Sequence, residues 1–291
     1  MMSSSLFPSD DSLHSSALVA AARPFLKWAG GKSRLIEQYK PYLPKDYTRY
    51  HEPFLGGGAL FFYLAPQLHA QGKTAFLSDL NPELVNVYVC VRDHVEALIE
   101  QLSMHQAQHG KAYYYEVRSQ LPTDSIARAA RFIYLNKTCF NGLYRENSKG
   151  QFNVPIGRYK NPKICAPDLL RPASAALQIA DISERPFTAV AEQATGGADF
   201  VYFDPPYHPL SETSNFTAYS RYRFGVDEQT ALRDLIKQLA GRSAQVLVSN
   251  SDCPFIRELY KDFTVKTITA ARSINSKASK RGKITEVLAL A

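Results

Sequence analysis

Four residues, Asp204-Pro205-Pro206-Tyr207, restrict what this 291-residue chain can fold into more than any other stretch. They follow an apolar run, Phe200-Val201-Tyr202-Phe203, that has the character of a parallel strand buried on both faces. An acid at the carboxyl end of such a strand lies where open α/β sheets bind their ligands. The two prolines end the ladder, fix φ and remove two N–H donors, so the carbonyls of Asp204 and Pro205 keep free acceptor capacity in a rigid turn. Tyr207 adds a flat aromatic face. Acceptors beside such a face suit a planar group with an exocyclic amine, such as adenine or cytosine taken out of its stack. Taken alone, the tetrapeptide is also compatible with an ordinary strand-ending turn.

A chain of this length can bury one large core, or a core plus an inserted lobe. Its net charge of +7 favours a polyanionic partner but also fits a basic soluble enzyme. Cys90, Cys139, Cys165 and Cys253 form no CxxC pair and have no His at metal-ligand spacing. Neither a disulfide framework nor a metal site is expected, and the thiols read as reduced ones in a cytoplasmic protein. No apolar run is long enough for a membrane span. The first 22 residues are Ser-rich, carry Asp10 and Asp11 and lack a basic start, which predicts a disordered tail.

From Arg23 the chain runs through Lys27-Trp28-Ala29-Gly30-Gly31-Lys32 into a helix expected from Ser33 to Tyr39, stopped by Pro41 and Pro44. Gly-Gly-Lys before a helix is an incomplete phosphate loop, because the first glycine of the Walker pattern is missing. A glycine pair does let backbone approach a ligand, with Trp28 placed either to wall it off or to plug the core. Next, Tyr50-His51-Glu52-Pro53-Phe54-Leu55 leads into Gly56-Gly57-Gly58 and a helix from Ala59 to about Leu68, the opening βα unit of a nucleotide-binding sheet. A second strand, Ala75 to Ser78, ends in Asp79. That acid is placed to accept ribose hydroxyls, or to cap the helix opened by Asn81-Pro82-Glu83.

Between residues 85 and 184 the strand alternation stops, and helices are expected at Glu83–Gln101, Ala112–Gln120 and Ser125–Phe140. This predicts an inserted helical lobe. It ends in a hairpin bracketed by Asn141-Gly142 and Lys149-Gly150, carrying Leu143, Arg145, Arg158 and Tyr159 among amides and aromatics. Such a mixture reads bases: Arg by a fork to guanine, aromatics by wedging, Lys by phosphate contact. The sheet should resume with strands at Phe187–Val190, Phe200–Tyr207, Gln245–Val248, Phe263–Ile268 and Ile284–Leu290. Helices at Asp227–Leu239 and Pro254–Tyr260 separate them. A polar, aromatic loop, Ser211 to Tyr219, reads as a lid. Arg272, Lys277, Lys280, Arg281 and Lys283, with no acid between them, form a second phosphate surface.

With Lys27-Trp28-Ala29-Gly30-Gly31-Lys32, Glu52-Pro53-Phe54-Leu55-Gly56-Gly57-Gly58, Asp79 and Asp204-Pro205-Pro206-Tyr207 in this order, the chain resembles Dam-type DNA adenine-N6 methyltransferases of the D12 class and alpha group. The resemblance covers nearly everything after Arg23. It implies a Rossmann-like class I methyltransferase fold, α/β, whose catalytic domain comprises residues 23–84 and 185–291 and whose target-recognition domain is residues 85–184. It also implies an S-adenosylmethionine site at Trp28, Lys32, Glu52, Phe54, Gly56, Gly58, Asp79 and Asp204, and catalysis at Asp204, Pro205, Pro206 and Tyr207. The implied partner is double-stranded DNA containing GATC, bound by a monomer without a metal. Lys27 and Arg145 match the guanine-reading positions, and Phe140 the base-pair wedge. Asn141, Leu143, Arg158, Tyr159 and Lys283 match further DNA contacts. The N6 lone pair of adenine is delocalised into the ring, so hydrogen bonds from its N–H groups to Asp204 and the Pro205 carbonyl should localise electron density on nitrogen, with the flipped base stacked on Tyr207. Methylation of RNA or of a protein amide, and DNA binding without catalysis, are the alternatives that the residues leave open.

Overall fold

The computed structural model describes residues 16–147, 149–210, 224–271 and 283–291. Seven strands form one sheet: β1 (Arg49–Glu52), β2 (Thr74–Asp79), β3 (Ala180–Glu184), β4 (Asp199–Phe203), β5 (Gln245–Ser251), β6 (Thr264–Ala271) and β7 (Lys283–Leu290), in the order β3-β2-β1-β4-β5-β7-β6. The first five strands in that row are parallel, and β7 is inserted antiparallel between β5 and β6. All five residues of β4 are buried, as expected of an apolar central strand covered on both faces. The register pairs His51 with Phe76 on one side and with Val201 on the other, so the carboxyl ends of β1, β2 and β4 finish on one edge. The strand order reverses between β1 and β4, and a parallel sheet opens a ligand crevice at such a point.

At the opposite edge Asp199 ties β1 to β4. Its Oδ1 lies 2.7 Å from His51 Nε2, and its Oδ2 accepts from Arg49 at 2.7 Å and from the N–H groups of Thr195 and Gly196. Burial raises the Asp199 carboxyl, but these donors outweigh it and hold the group below the usual carboxylate range.

The helical insert follows β2 as α-helices Pro82–Asp93, Val95–Ala107, Lys111–Ser119 and Ser125–Thr138. The expected single helix Glu83–Gln101 is two, broken at His94, whose φ of −134° is not helical. The strand expected at Phe187–Val190 is instead a helical turn following Pro186. The third strand is Ala180–Glu184, inside the stretch expected to belong to the lobe, and it pairs parallel with β2. Only Ala180 and Ile182 of its residues are buried, so its polar members obscured a short strand. The helix expected from Ser33 is shorter, Ile36–Tyr39, and runs into a 3-10 turn, Lys40–Tyr42, that accepts Pro41 at its start. Residues 16–20 are helical with Val19 buried in the main core, so the chain is packed before residue 23.

Candidate active site

The glycine loop after β1 is shaped by backbone that side chains rarely adopt: φ is +47° at Gly56 and +63° at Gly58. A Cβ on Gly56 would lie 2.8 Å from Trp28 Nε1, so the indole packs directly on bare backbone. Asp79 closes the loop from the end of β2, accepting from Gly56 N at 3.0 Å through Oδ2 and from Asn81 N at 3.0 Å through Oδ1. Burial raises its carboxyl despite these bonds. The helix cap beside it is Asn81, whose side chain accepts from the N–H groups of Glu83 and Leu84. Glu52 lies buried beneath the loop, where its Oε2 accepts from Tyr50 Oη at 2.7 Å and from Phe61 N at 3.1 Å. Burial pushes its carboxyl up to about 8. Phe54 stacks on Phe187 at 5.3 Å and meets Phe203 and Phe224 edge-on, on the other side of the sheet's carboxyl edge.

Asp204 ends β4 in an ion pair. Lys32, buried, places Nζ 2.8 Å from Asp204 Oδ1 and 4.5 Å from the centroid of Tyr207, and also donates to the Gly30 carbonyl. Ser249 Oγ donates to the same Oδ1 at 2.7 Å. Among the described residues nothing donates to Asp204 Oδ2 or to the Pro205 carbonyl, whereas the Pro206 carbonyl accepts from Gln229 Nε2 at 3.0 Å. Tyr207 donates to Glu286 Oε2 at 2.7 Å. Asn250 holds the far side of the turn, accepting from His208 N and donating to Gln229 Oε1. Asp204 Oδ2 and the Pro205 carbonyl are thus left open beside an aromatic ring, while Asp204 Oδ1, the Pro206 carbonyl and the Tyr207 hydroxyl are committed.

Trp28 connects this edge to the insert. Its ring lies 6.4 Å from Phe132 and 6.1 Å from Tyr144, both roughly parallel to it, and Phe132 and Tyr144 stack at 5.0 Å. Beyond Tyr144 the chain makes an open hairpin, held by single bridges Cys139–Ile156 and Glu146–Phe152 rather than by continuous strands. Lys149-Gly150 forms its tip, with Gly150 at φ +73°. Asn141-Gly142 lies at its base instead, both left-handed at φ +56° and +64°, and turns the chain around Lys27. A Cβ on Gly142 would fall 2.6 Å from that lysine's own Cβ. Asn136 grips the Lys27 backbone from both sides, accepting from its N–H at 2.9 Å and donating to its carbonyl at 2.7 Å. Lys27 Nζ rests 3.8 Å from the centroid of Tyr159 and donates to the Lys137 carbonyl. Arg145 is exposed and held by Asn153 Oδ1 at 2.7 Å. Phe140 is 48% exposed; Asn141 and Arg158 are exposed and Leu143 is half-buried. Lys283 opens β7. Arg272, Lys277, Lys280, Arg281 and the loop Ser211 to Tyr219 lie outside the described residues.

The site therefore gathers Trp28, Lys32, Glu52, Gly56, Gly58, Asp79 and the Asp204–Tyr207 turn at one edge, with Phe140 and Arg145 on the adjoining insert and Lys27 held against it by Asn136. Sequence reasoning missed Asn136, Ser249, Asn250, Gln229 and Glu286. Ser249 and Asn250 had a signal, since they are polar residues ending the apolar run Gln245-Val246-Leu247-Val248, as Asp204 ends its own. Glu286 had none, because β7 brings it in from the end of the chain.

Sheet order and site together define a Rossmann-like class I methyltransferase. The chain belongs to the family of D12 class N6 adenine-specific DNA methyltransferases, whose pattern it matches over residues 28–274. It is 46% identical over 274 residues to a type II methyltransferase, M1.LlaDCHI, of Lactococcus lactis subsp. cremoris, covering 91% of this chain and 94% of that one. It is 42% identical over 277 residues to the type II methyltransferase M.MjaIII of Methanocaldococcus jannaschii, covering 89% and 95%. A DNA adenine methylase of Haemophilus influenzae is 35% identical over 277 residues, covering 92% and 93%. No helix among the described residues is long and apolar enough to cross a membrane, and no group of three or more His, Cys, Asp or Glu there is placed to hold a metal ion.

Proposed function

We propose that this DNA adenine methyltransferase uses S-adenosylmethionine to methylate N6 of an adenine flipped out of double-stranded GATC. The observation that carries this reading is the pair of open acceptors, Asp204 Oδ2 and the Pro205 carbonyl, beside the Tyr207 ring. An exocyclic amine has two N–H groups to offer such a pair, and a base inside a duplex cannot reach it. The residues around the glycine loop fit the donor. The left-handed backbone at Gly56 and Gly58 shapes the loop at the carboxyl end of β1, where such sheets bind ligands, and Asp79 is a half-buried carboxyl with acceptor capacity left for ribose hydroxyls. When bound, the donor supplies an electrophilic methyl group. Asp204 and Pro205 would hold the amine by its N–H groups and draw electron density onto N6 as its bond to the methyl group forms, the donor's S–CH3 bond breaks and N6 gives up one proton.

Recognition falls to the insert and to Lys27, which is seated against it. Arg145 presents its fork for O6 and N7 of one guanine, Lys27 a point charge for the other, and Phe140 an exposed ring where the extruded base leaves a gap. The names of the L. lactis and M. jannaschii relatives favour a restriction-modification setting for this chain as well.

The test is single-turnover transfer of labelled methyl to duplexes carrying GATC or one substituted position, with RNA and protein as controls. Wild type should label N6 of the GATC adenine alone. Asp204→Ala should lose at least about a hundredfold, since one preorganised acceptor contributes roughly 10²–10³ in rate. Equal labelling of all duplexes sinks the GATC assignment, and an Asp204→Ala rate within about tenfold of wild type sinks the catalytic one.

A further inference from the structure

We infer that Ser249 is a positioning residue that fixes the plane of the Asp204 carboxylate and so turns Oδ2 toward the target amine. This rests on the methyl-transfer reading above. The parallel register pairs Phe203 with Val248, which sets Ser249 level with Asp204 at the adjoining carboxyl ends of β4 and β5. Ser249 is fully buried and donates to Oδ1 at 2.7 Å, the oxygen that Lys32 also engages at 2.8 Å. Behind it Tyr202 Oη lies 3.1 Å from Ser249 Oγ. An ionised carboxylate has no hydrogen to give, so the Ser249 proton points at Asp204 and the tyrosine hydroxyl donates to Ser249. The result is a directed chain, Tyr202 to Ser249 to Asp204, that loads one oxygen with two donors and leaves the other free. A group placed this way reacts faster because its orientation is settled before the amine arrives.

The arrangement has a sharp chemical corollary. A carboxylate is symmetric, so the anchor settles only its plane. An amide is not: with two donors demanding an acceptor at the Oδ1 position, Asp204→Asn must put its carbonyl there and aim its NH2 at the substrate amine, donor against donor. Ser249 therefore assists the native residue and gives the amide no such help.

The experiment compares wild type, Ser249→Ala, Asp204→Asn and the double variant by single-turnover methylation of a GATC duplex at saturating S-adenosylmethionine, with cofactor affinity measured by calorimetry. Ser249→Ala should lower the rate about tenfold to a hundredfold at unchanged cofactor affinity, and Ser249→Thr should recover most of it. In the Asp204→Asn background the same alanine should cost far less, because Lys32 still holds the amide oxygen at that position and the serine has no acceptor left to aim. A merely structural serine would give the same loss in both backgrounds, and that result overturns the inference. So does a Ser249→Ala rate within about twofold of wild type. Should Ser249→Ala not fold, Tyr202→Phe removes only the donor behind it and should cost about threefold; no loss there is equally fatal. An active Asp204→Ala variant would remove Asp204 from the proposed catalytic site, whereas an inactive one beside a fully active Ser249→Ala fails the role of Ser249 alone.

Discussion

Glu52 illustrates how a single residue at this edge is set by its surroundings. Burial is the main cause that pushes its carboxyl up to about 8, and the nearby Asp204 adds to it, while the Tyr50 hydroxyl and the Phe61 N–H pull the other way. In the unfolded chain the same carboxyl ionises near 4.5. Between those values the folded protein keeps a proton that the unfolded chain has lost. Its contribution to stability is complete below 4.5 and is lost as pH rises through 8, on the order of a few kcal/mol. Glu52→Gln keeps an acceptor for both donors and has nothing to ionise. We expect the wild-type melting temperature to fall between pH 5 and pH 9, with the glutamine variant falling much less; parallel curves would show that Glu52 ionises without cost. At this scale much of the site was legible in the chain. Asp204, Asp79 and the glycines announce themselves by standing at the ends of apolar runs. The pairings do not, because Ser249, though it too ends an apolar run, meets Asp204 only through the register of β5, and Glu286 reaches Tyr207 only through that of β7.

Among the elements, the hairpin and its base carry the residues proposed to read DNA. The left-handed pair Asn141-Gly142 wraps the Lys27 stem so closely that a Cβ on Gly142 would sit 2.6 Å from it. Gly142→Ala should therefore push Lys27 off its seat between Tyr159 and the Lys137 carbonyl, weakening binding of a GATC duplex about tenfold and leaving cofactor affinity unchanged. Fluorescence-anisotropy titrations at fixed salt measure this, and unaltered duplex affinity would remove the turn from the interface. The turn chemistry was readable from Asn-Gly and Lys-Gly, but their division of labour was not. Both were expected to bracket strands, and only the second is a hairpin tip. Helix breaks were equally hidden, since nothing in the residues around His94 stops a helix as Pro or Gly would.

On the scale of the whole molecule, the sheet and the insert were expected as separate units, and the strand at Ala180–Glu184 was hidden because its alternation is short and half polar. What joins the two units is an aromatic file. Trp28, the chain's sole tryptophan, packs on the glycine loop and lies roughly parallel to Phe132 and Tyr144 of the insert. The molecule consequently carries its own optical reporter, a single fluorophore wedged between the glycine loop and the residue that precedes Arg145. Its emission should change when S-adenosylhomocysteine fills the loop and change again when a GATC duplex seats on the hairpin. Tyr144→Leu should erase the second response while sparing the first. An indole blind to both additions would mean that the two halves of the site work without touching each other.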